Sequence, residues 1–296
     1  MSSGCSTCPS SKGGEKQASA QHELQNELIS STLARIKHKI FVMSGKGGVG
    51  KSSVTVNLAA ALADQGHKVG ILDVDIHGPS VPTLLGLKGN LDIDRGSLVM
   101  PKQYNENLCA VSMESLLKDP DQAVLWRGPM KTSAIRQFVS DVQWGDLDFL
   151  VVDSPPGTGD EPMTVLKTIP DALCLVVTTP QEVSLSDVRK SINFLQYANA
   201  NILGVVENMS GLVCPHCHKS IDLFKKGGGE DLANKYGLDF LGAIPLDPAT
   251  VVAGDRGTPV VLLEEESFAK DAFLKLSETV AKAVESSLEA AATNHG

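Results

Sequence analysis

Residues 39–52 read KIFVMSGKGGVGKS. The first six residues form a short apolar, strand-length run, and the next eight, Gly45 to Ser52, fit G-x-x-x-x-G-K-[ST]. Average composition produces that pattern in about one chain in a hundred of this length. The context narrows it further, because a strand-like run precedes it and a segment of helical character, KSSVTVNLAAALADQG, follows. A plain Gly-rich turn would not need this company. Glycines let backbone N–H groups turn toward phosphate oxygens, Lys51 reaches β- and γ-phosphates, and Ser52 ligates Mg²⁺ beside the positive end of the helix. The nucleotide-binding set expected here is Gly45, Lys46, Gly47, Gly48, Val49, Gly50, Lys51, Ser52 and Ser53. Lys46 is a second lysine that cannot readily reach the same phosphates from its own side of the loop. It is either a solvated charge or a residue offered to a nucleotide on another subunit.

Outward from this loop, apolar strand-like runs alternate with longer helical segments, which predicts an α/β fold. The expected sheet is mostly parallel and doubly wound, with helices on both faces, in a single domain. Strands are expected at 39–44, 69–73, 149–153, 173–178, 202–207 and 240–244, with a further one at 108–112. Helices follow at 51–66, 184–200 and 229–237, the first and last closed by Gly66 and Gly237. Residues 1–22, rich in Ser, Gly and Lys, are expected to form a mobile tail, with a short helix from about Glu23 and one P-loop domain over 23–296. Phe273, Leu276, Val280, Val284 and Leu288 fall at helical spacing. Residues 264–296 carry seven acidic and three basic residues, so this helix is expected to pack on the body rather than anchor in a membrane.

The 296 residues include 26 basic and 35 acidic side chains, a formal charge of −9, which argues against a nucleic-acid or anionic-membrane partner. No apolar run has the roughly 20 residues of a membrane span, and the first residues lack the apolar core of a secretory signal. A cytoplasmic protein is expected, and six cysteines there read as free thiols or metal ligands. Cys109 and Cys174 lie in apolar runs and read as core residues.

Two acidic segments complete the phosphate site. DVDIHGPS (73–80) places Asp73 at a strand end and Asp75 just beyond it, one suited to support Mg²⁺ and the other to orient water. In VVDSPPGTGDE (151–161), Asp153 ends an apolar strand and Gly157 is placed to offer its N–H to a γ-phosphate. A lone Asp at a strand end is commonly a cap or turn former. Two such strands beside a phosphate loop point to nucleotide hydrolysis, with Lys46, Lys51 and Asp75 as the catalytic candidates.

The loop KGGVGKS with its extra lysine resembles that of the MinD/ParA group of dimeric ATPases. DVDIHGPS, WRGPM (126–130), VDSPPGTGDE, VENMS (206–210), CPHC (214–217), GGGE (227–230) and IPLDP (244–248) together resemble the Mrp/ApbC family of iron–sulfur carrier ATPases. The resemblance covers roughly Ile36 to Thr258. It implies a homodimer that hydrolyses ATP with Mg²⁺ and carries a labile [4Fe–4S] cluster to apo-proteins. By position, Lys46 resembles the lysine that crosses the dimer, Asp75 the residue that positions water, Asp153 the Walker-B acid, and Asn208 the residue that recognises adenine.

Cys214 and Cys217 match the family's C-P-x-C pair. A cubane cluster usually takes four thiolates, and two pairs facing across a two-fold axis supply them. Three other readings stay open at this stage. CPHCH is half of a zinc site with His216 or His218 as a further ligand. Cys5 and Cys8 fold back to complete four ligands within one chain, or either pair is a redox dithiol. Some family members carry four N-terminal cysteines, whereas here only Cys5 and Cys8 are present. The leading function is thus an ATP-dependent iron–sulfur carrier. The runner-up is a MinD/ParA-like positioning ATPase acting on membrane or DNA, and a third reading, an electron-transfer ATPase, does not match the close cysteine pair.

Overall fold

The computed structural model describes residues 12–75, 78–93, 98–116, 128–214, 217 and 219–293. In chain order, α1 (Lys12–Ala34) leads into β1 (Ile36–Ser44), and the phosphate loop connects β1 to α2 (Lys51–Asp64). Then come β2 (Val69–Asp73), the single-turn α3 (Val81–Leu84), the short strands β3 (Asp92–Ile93), β4 (Val99–Met100) and β5 (Lys102–Gln103), and β6 (Leu108–Ser112). α4 (Gly128–Ser140), β7 (Leu147–Asp153), α5 (Asp160–Thr168), β8 (Leu173–Thr178) and α6 (Glu182–Tyr197) follow. The last third holds β9 (Asn201–Val213), β10 (Ser220–Ile221), α7 (Gly228–Tyr236), β11 (Phe240–Leu246), α8 (Pro248–Asp255) and α9 (Phe268–Thr293).

The main sheet has the order β10-β9-β8-β1-β7-β2-β6-β5, with β11 paired to β9. Its pairs are parallel except at the two edges, β5 with β6 and β10 with β9. From β1 the chain steps past β7 to reach β2 on one side, while β8 and β9 lie on the other. The phosphate loop therefore opens at the carboxyl end of β1 where the winding reverses, the place such sheets offer a ligand crevice. Alternation along β1 builds both cores. Ile40 and Val42 face a layer made by α2 and α9, including Leu58, Leu62, Phe273 and Leu276. Phe41 and Met43 face the layer of α1, α4 and α6, including Leu33, Ile135 and Ile192.

The expected strands are all present, and four differ in length, β11 by running two residues further, to Leu246. β1 and β7 begin earlier, at Ile36 and Leu147, because their first residues pair with each other. β9 runs on to Val213, well past Glu207, because β11 and then β10 give its far half partners. Asn208 therefore lies within a strand and not at its end. α1 begins at Lys12 rather than about Glu23, so the helix takes in half of the segment expected as a tail. That segment is poor in apolar residues but rich in Ala, Gln, Glu and Lys, which favour helix without needing a core. α9 packs on the body as expected, with Phe273, Leu276, Val280 and Val284 buried. Among the described residues, no helix is long and apolar enough to cross a membrane.

Candidate functional site

The loop is shaped by two left-handed residues, Gly48 and Gly50, each at φ +79°. A side chain at Gly50 would carry the penalty of that conformation and would drive its Cβ into the Asn208 amide. Behind the loop, Asp153 is fully buried at the end of β7 and collects three donors. Lys51 Nζ lies 2.7 Å from its Oδ2, Ser52 Oγ donates to the same oxygen at 2.6 Å, and Thr55 Oγ1 donates to Oδ1 at 2.7 Å. Lys51 also donates to Ser52 Oγ at 3.2 Å. Held this way, the carboxylate presents its oxygens beside a serine hydroxyl, the donor set of a hard divalent cation.

β2 sets Asp73 beside its register partner Asp153, and Asp75 follows just beyond the strand end. Their roles separate. Asp73 is fully buried, accepts the Asp75 N–H at 3.0 Å and the Ser112 hydroxyl at 3.1 Å, and does not line the cleft. Burial pushes its carboxyl well above the ordinary range, and the neighbouring charge of Asp153 adds to the rise. Asp75 does line the cleft, a space of about 340 Å³ walled by the phosphate loop, Gly78, Ser80 and Pro156. Its Oδ1 accepts the Gly78 N–H at 3.2 Å. Lys46 lines the same cleft, half-buried, with no ion pair among the described residues.

Gly157 lies in the loop after β7. Its N–H, expected to meet a γ-phosphate, donates to the Ser44 carbonyl at 2.9 Å, which ties the loop after β7 to the end of β1.

Gly50 and Ser53 also line a second cavity, of about 260 Å³, bounded by Asn208, Pro245, Asp247 and α8. Asn208 is buried and donates from Nδ2 to the Val49 carbonyl at 2.8 Å, so the residue expected to read a base also holds the phosphate loop. On the cavity wall Thr250 Oγ1 is buried with no hydrogen-bond partner among the described residues. An orphaned hydroxyl beside an amide fits a polar heterocycle better than an apolar ligand.

Cys214 and Cys217 sit at the tip of the hairpin that β9 and β10 form at the sheet edge. Val213 pairs with Ser220, and the Cys214 N–H donates to the Lys219 carbonyl at 3.0 Å. Cys214 is half-buried and Cys217 exposed. Cys5, Cys8, His216 and His218 lie outside the described residues. Among the described residues, no group of three or more His, Cys, Asp or Glu side chains is placed to hold a metal ion. Cys109 and Cys174 are core residues whose thiols burial pushes up to about 12, which keeps them protonated and inert.

Sequence reading missed Thr55 and Glu207. Thr55 was hidden inside a helical run, and only the position one turn after Lys51 hinted that it faces the same way. Glu207 is fully buried at the root of the cysteine hairpin. Its signal was a charged residue ending an apolar strand, which also reads as a solvated terminus.

The family model for the NUBPL iron-transfer P-loop NTPases, of ParA type, matches residues 35–281. The iron-sulfur cluster carrier protein of Methanocaldococcus jannaschii is 47% identical over 288 residues, covering 96% of this chain and 98% of that one. The human cytosolic Fe-S cluster assembly factor NUBP2 is 49% identical over 230 residues, covering 76% of this chain and 85% of its own length. Among solved structures, the nucleotide-binding protein of Archaeoglobus fulgidus in complex with ADP superposes with a TM-score of 0.72 at 38% identity, over 84% of this chain and 96% of that chain. The cell division ATPase MinD of Pyrococcus furiosus gives 0.60 at 27% identity, over 83% of this chain and 98% of that chain.

Proposed function

The chain belongs to the NUBPL iron-transfer P-loop NTPases, and we propose that within this family it is an ATP-dependent carrier that holds a labile [4Fe–4S] cluster between two copies of itself and passes it to apo-proteins. One observation carries the reading. The strand β9 bears both Asn208, bonded to the phosphate loop, and the arm of the hairpin that ends in Cys214. Nucleotide site and thiol pair thus share one structural element.

In this reading the loop N–H groups cradle the phosphates, and Lys51 leaves Asp153 for a phosphate oxygen when ATP enters. Ser52 and Asp153 hold Mg²⁺, which neutralises phosphate charge. Asp75 orients the attacking water from the cleft wall, and Lys46 reaches the nucleotide of the partner copy. Asn208 and Thr250 give the base its polar contacts. Two thiols per chain complete a four-thiolate cluster only when two copies meet across a two-fold axis. A cluster held at a hairpin tip is open to transfer, and the cytosol is the proposed compartment, in line with the name of the human relative.

Anaerobic reconstitution with iron and sulfide tests this. Iron and sulfide per chain, the absorption spectrum and the oligomer mass are measured for the wild type and for Cys214→Ser/Cys217→Ser. About four irons per dimer, lost in the double variant, is the expected result. Zinc in place of iron, or a cluster that survives the substitutions, overturns the bridged site.

A further inference from the structure

β9 leaves the nucleotide cavity at Asn208 and becomes one arm of the cysteine hairpin. The chain returns to the core at Gly227, where α7 begins. One side chain spans both ends of this excursion. Glu207 is fully buried, and its Oε1 accepts the Gly227 N–H at 3.0 Å and the Ser210 hydroxyl at 2.5 Å. Its Oε2 accepts the Gly229 N–H at 2.6 Å. The carboxylate therefore satisfies donors at the start of α7 that the helix itself leaves unpaired, where the helix dipole favours a negative charge. The fit is close, since a Cβ at Gly229 would stand 2.9 Å from Glu207 Cβ.

The outgoing arm is bent. Met209 at φ +56° and Gly211 at φ +71° flank Ser210, and a methionine in the left-handed region is strained. Such a residue persists where its surroundings over-determine it, and the Ser210–Glu207 bond is one of those constraints. On the other side of Glu207, Asn208 holds Val49 of the phosphate loop at 2.8 Å.

We infer that Glu207 is the positioning residue that closes the neck of the cysteine hairpin and couples the placement of Cys214 and Cys217 to the phosphate loop. The use of those thiols rests on the carrier reading, whereas the clamp belongs to the metal-free chain. A shift of Val49 moves Asn208, and through the one peptide unit before it moves the carboxylate that both arms hang on. Glutamine does not replace it, because its single carbonyl oxygen serves one backbone donor while its NH₂ faces another.

The test uses the metal-free full chain as wild type, Glu207→Gln and Ser210→Ala, each with a melting curve. Amide exchange at Gly227 and Gly229 and iodoacetamide alkylation of Cys214 are followed with and without Mg·ATP. Loss of one charge-assisted hydrogen bond changes an opening equilibrium by about tenfold or more. Glu207→Gln is therefore expected to raise both rates by about that factor, and Ser210→Ala to raise them less. Nucleotide is expected to alter the Cys214 rate in the wild type and not in Glu207→Gln. Rates unchanged in the folded variants, or a nucleotide response that persists in Glu207→Gln, overturn the inference. If Glu207→Gln does not fold, an unchanged Cys214 rate in Ser210→Ala overturns it alone. A wild type that takes up no cluster, while Glu207→Gln still frees Cys214, overturns the carrier reading and leaves the clamp standing.

Discussion

Ser52 and Asp153, 101 positions apart in the chain, meet with hydroxyl and carboxylate oxygens 2.6 Å apart. The contact joins the first turn of α2 to the end of β7, and it preforms two of the oxygens a hard cation needs. Removing the hydroxyl leaves Asp153 with Lys51 and Thr55, so the fold tolerates the change. Ser52→Ala is expected to weaken ATP binding in Mg²⁺ by about tenfold to a hundredfold, on the scale of one bond to a charged group. Titration calorimetry checks it, and in EDTA the variant and the wild type are expected to bind alike. Equal loss in both conditions would assign Ser52 to the phosphates instead.

Asp73 makes stability depend on pH. Its folded carboxyl is raised far above the unfolded value of about 3.9. The native state then binds more protons than the unfolded chain, so unfolding free energy falls as pH rises. The contribution is complete below the unfolded value and is lost as pH climbs through the raised one. Asp73→Asn mimics the protonated form and is expected to flatten melting temperature against pH above about pH 4. A slope identical to that of the wild type would mean that Asp73 is ionised when folded.

What could be read from the chain and what could not follows from how local each signal was. The phosphate loop was legible because its residue types answer to geometry within eight positions, and β2, β6 and β8 because each is a short apolar run that turns polar only at its last residue. The length of β9 was not, since Asn208 to Val213 contains Asn, Ser and Gly and is held in the sheet only by β10 and β11. Thr55 and Glu207 were missed for a related reason. The partners that give them their roles lie 98 positions away at Asp153 and 20 and 22 away at Gly227 and Gly229, and the nearby Ser210 alone does not mark Glu207. Gly157 had the right neighbours for a phosphate contact, and only the fold reveals the Ser44 carbonyl that takes its N–H.

Asn208 and Gly50 are expected to be energetically coupled. Asn208→Ala removes the 2.8 Å bond to Val49 and is expected to weaken ATP binding by about tenfold with a small change in melting temperature. Gly50→Ala forces a left-handed alanine, about 1–2 kcal/mol, and drives its Cβ into the Asn208 amide. Thermal melts of the two single variants and the double variant form a cycle. The double variant is expected to recover the part of the Gly50→Ala loss that comes from the collision and to keep the backbone part. Strict additivity would show that the amide simply moves aside.

Lys46 and Lys51 share a loop but not an environment. Lys51 is buried on Asp153 at 2.7 Å, while Lys46 is half-buried on the cleft wall without an ion pair among the described residues. If Lys46 acts on the partner's nucleotide, Lys46→Gln keeps its own phosphate loop and still binds ATP. Its hydrolysis is expected to fall by about 10³-fold, the lower range for a cation supplied in trans to phosphoryl transfer. Lys51→Ala loses its own nucleotide yet retains Lys46. Mixing the two inactive variants then places an intact loop opposite an intact Lys46 in every mixed dimer. Half of the dimers are mixed and each has one working site of two, so activity is expected to return to about a quarter of the wild-type level. A lysine serving its own subunit gives no such recovery at any mixing ratio, and the ATPase rate of the equimolar mixture decides between the two.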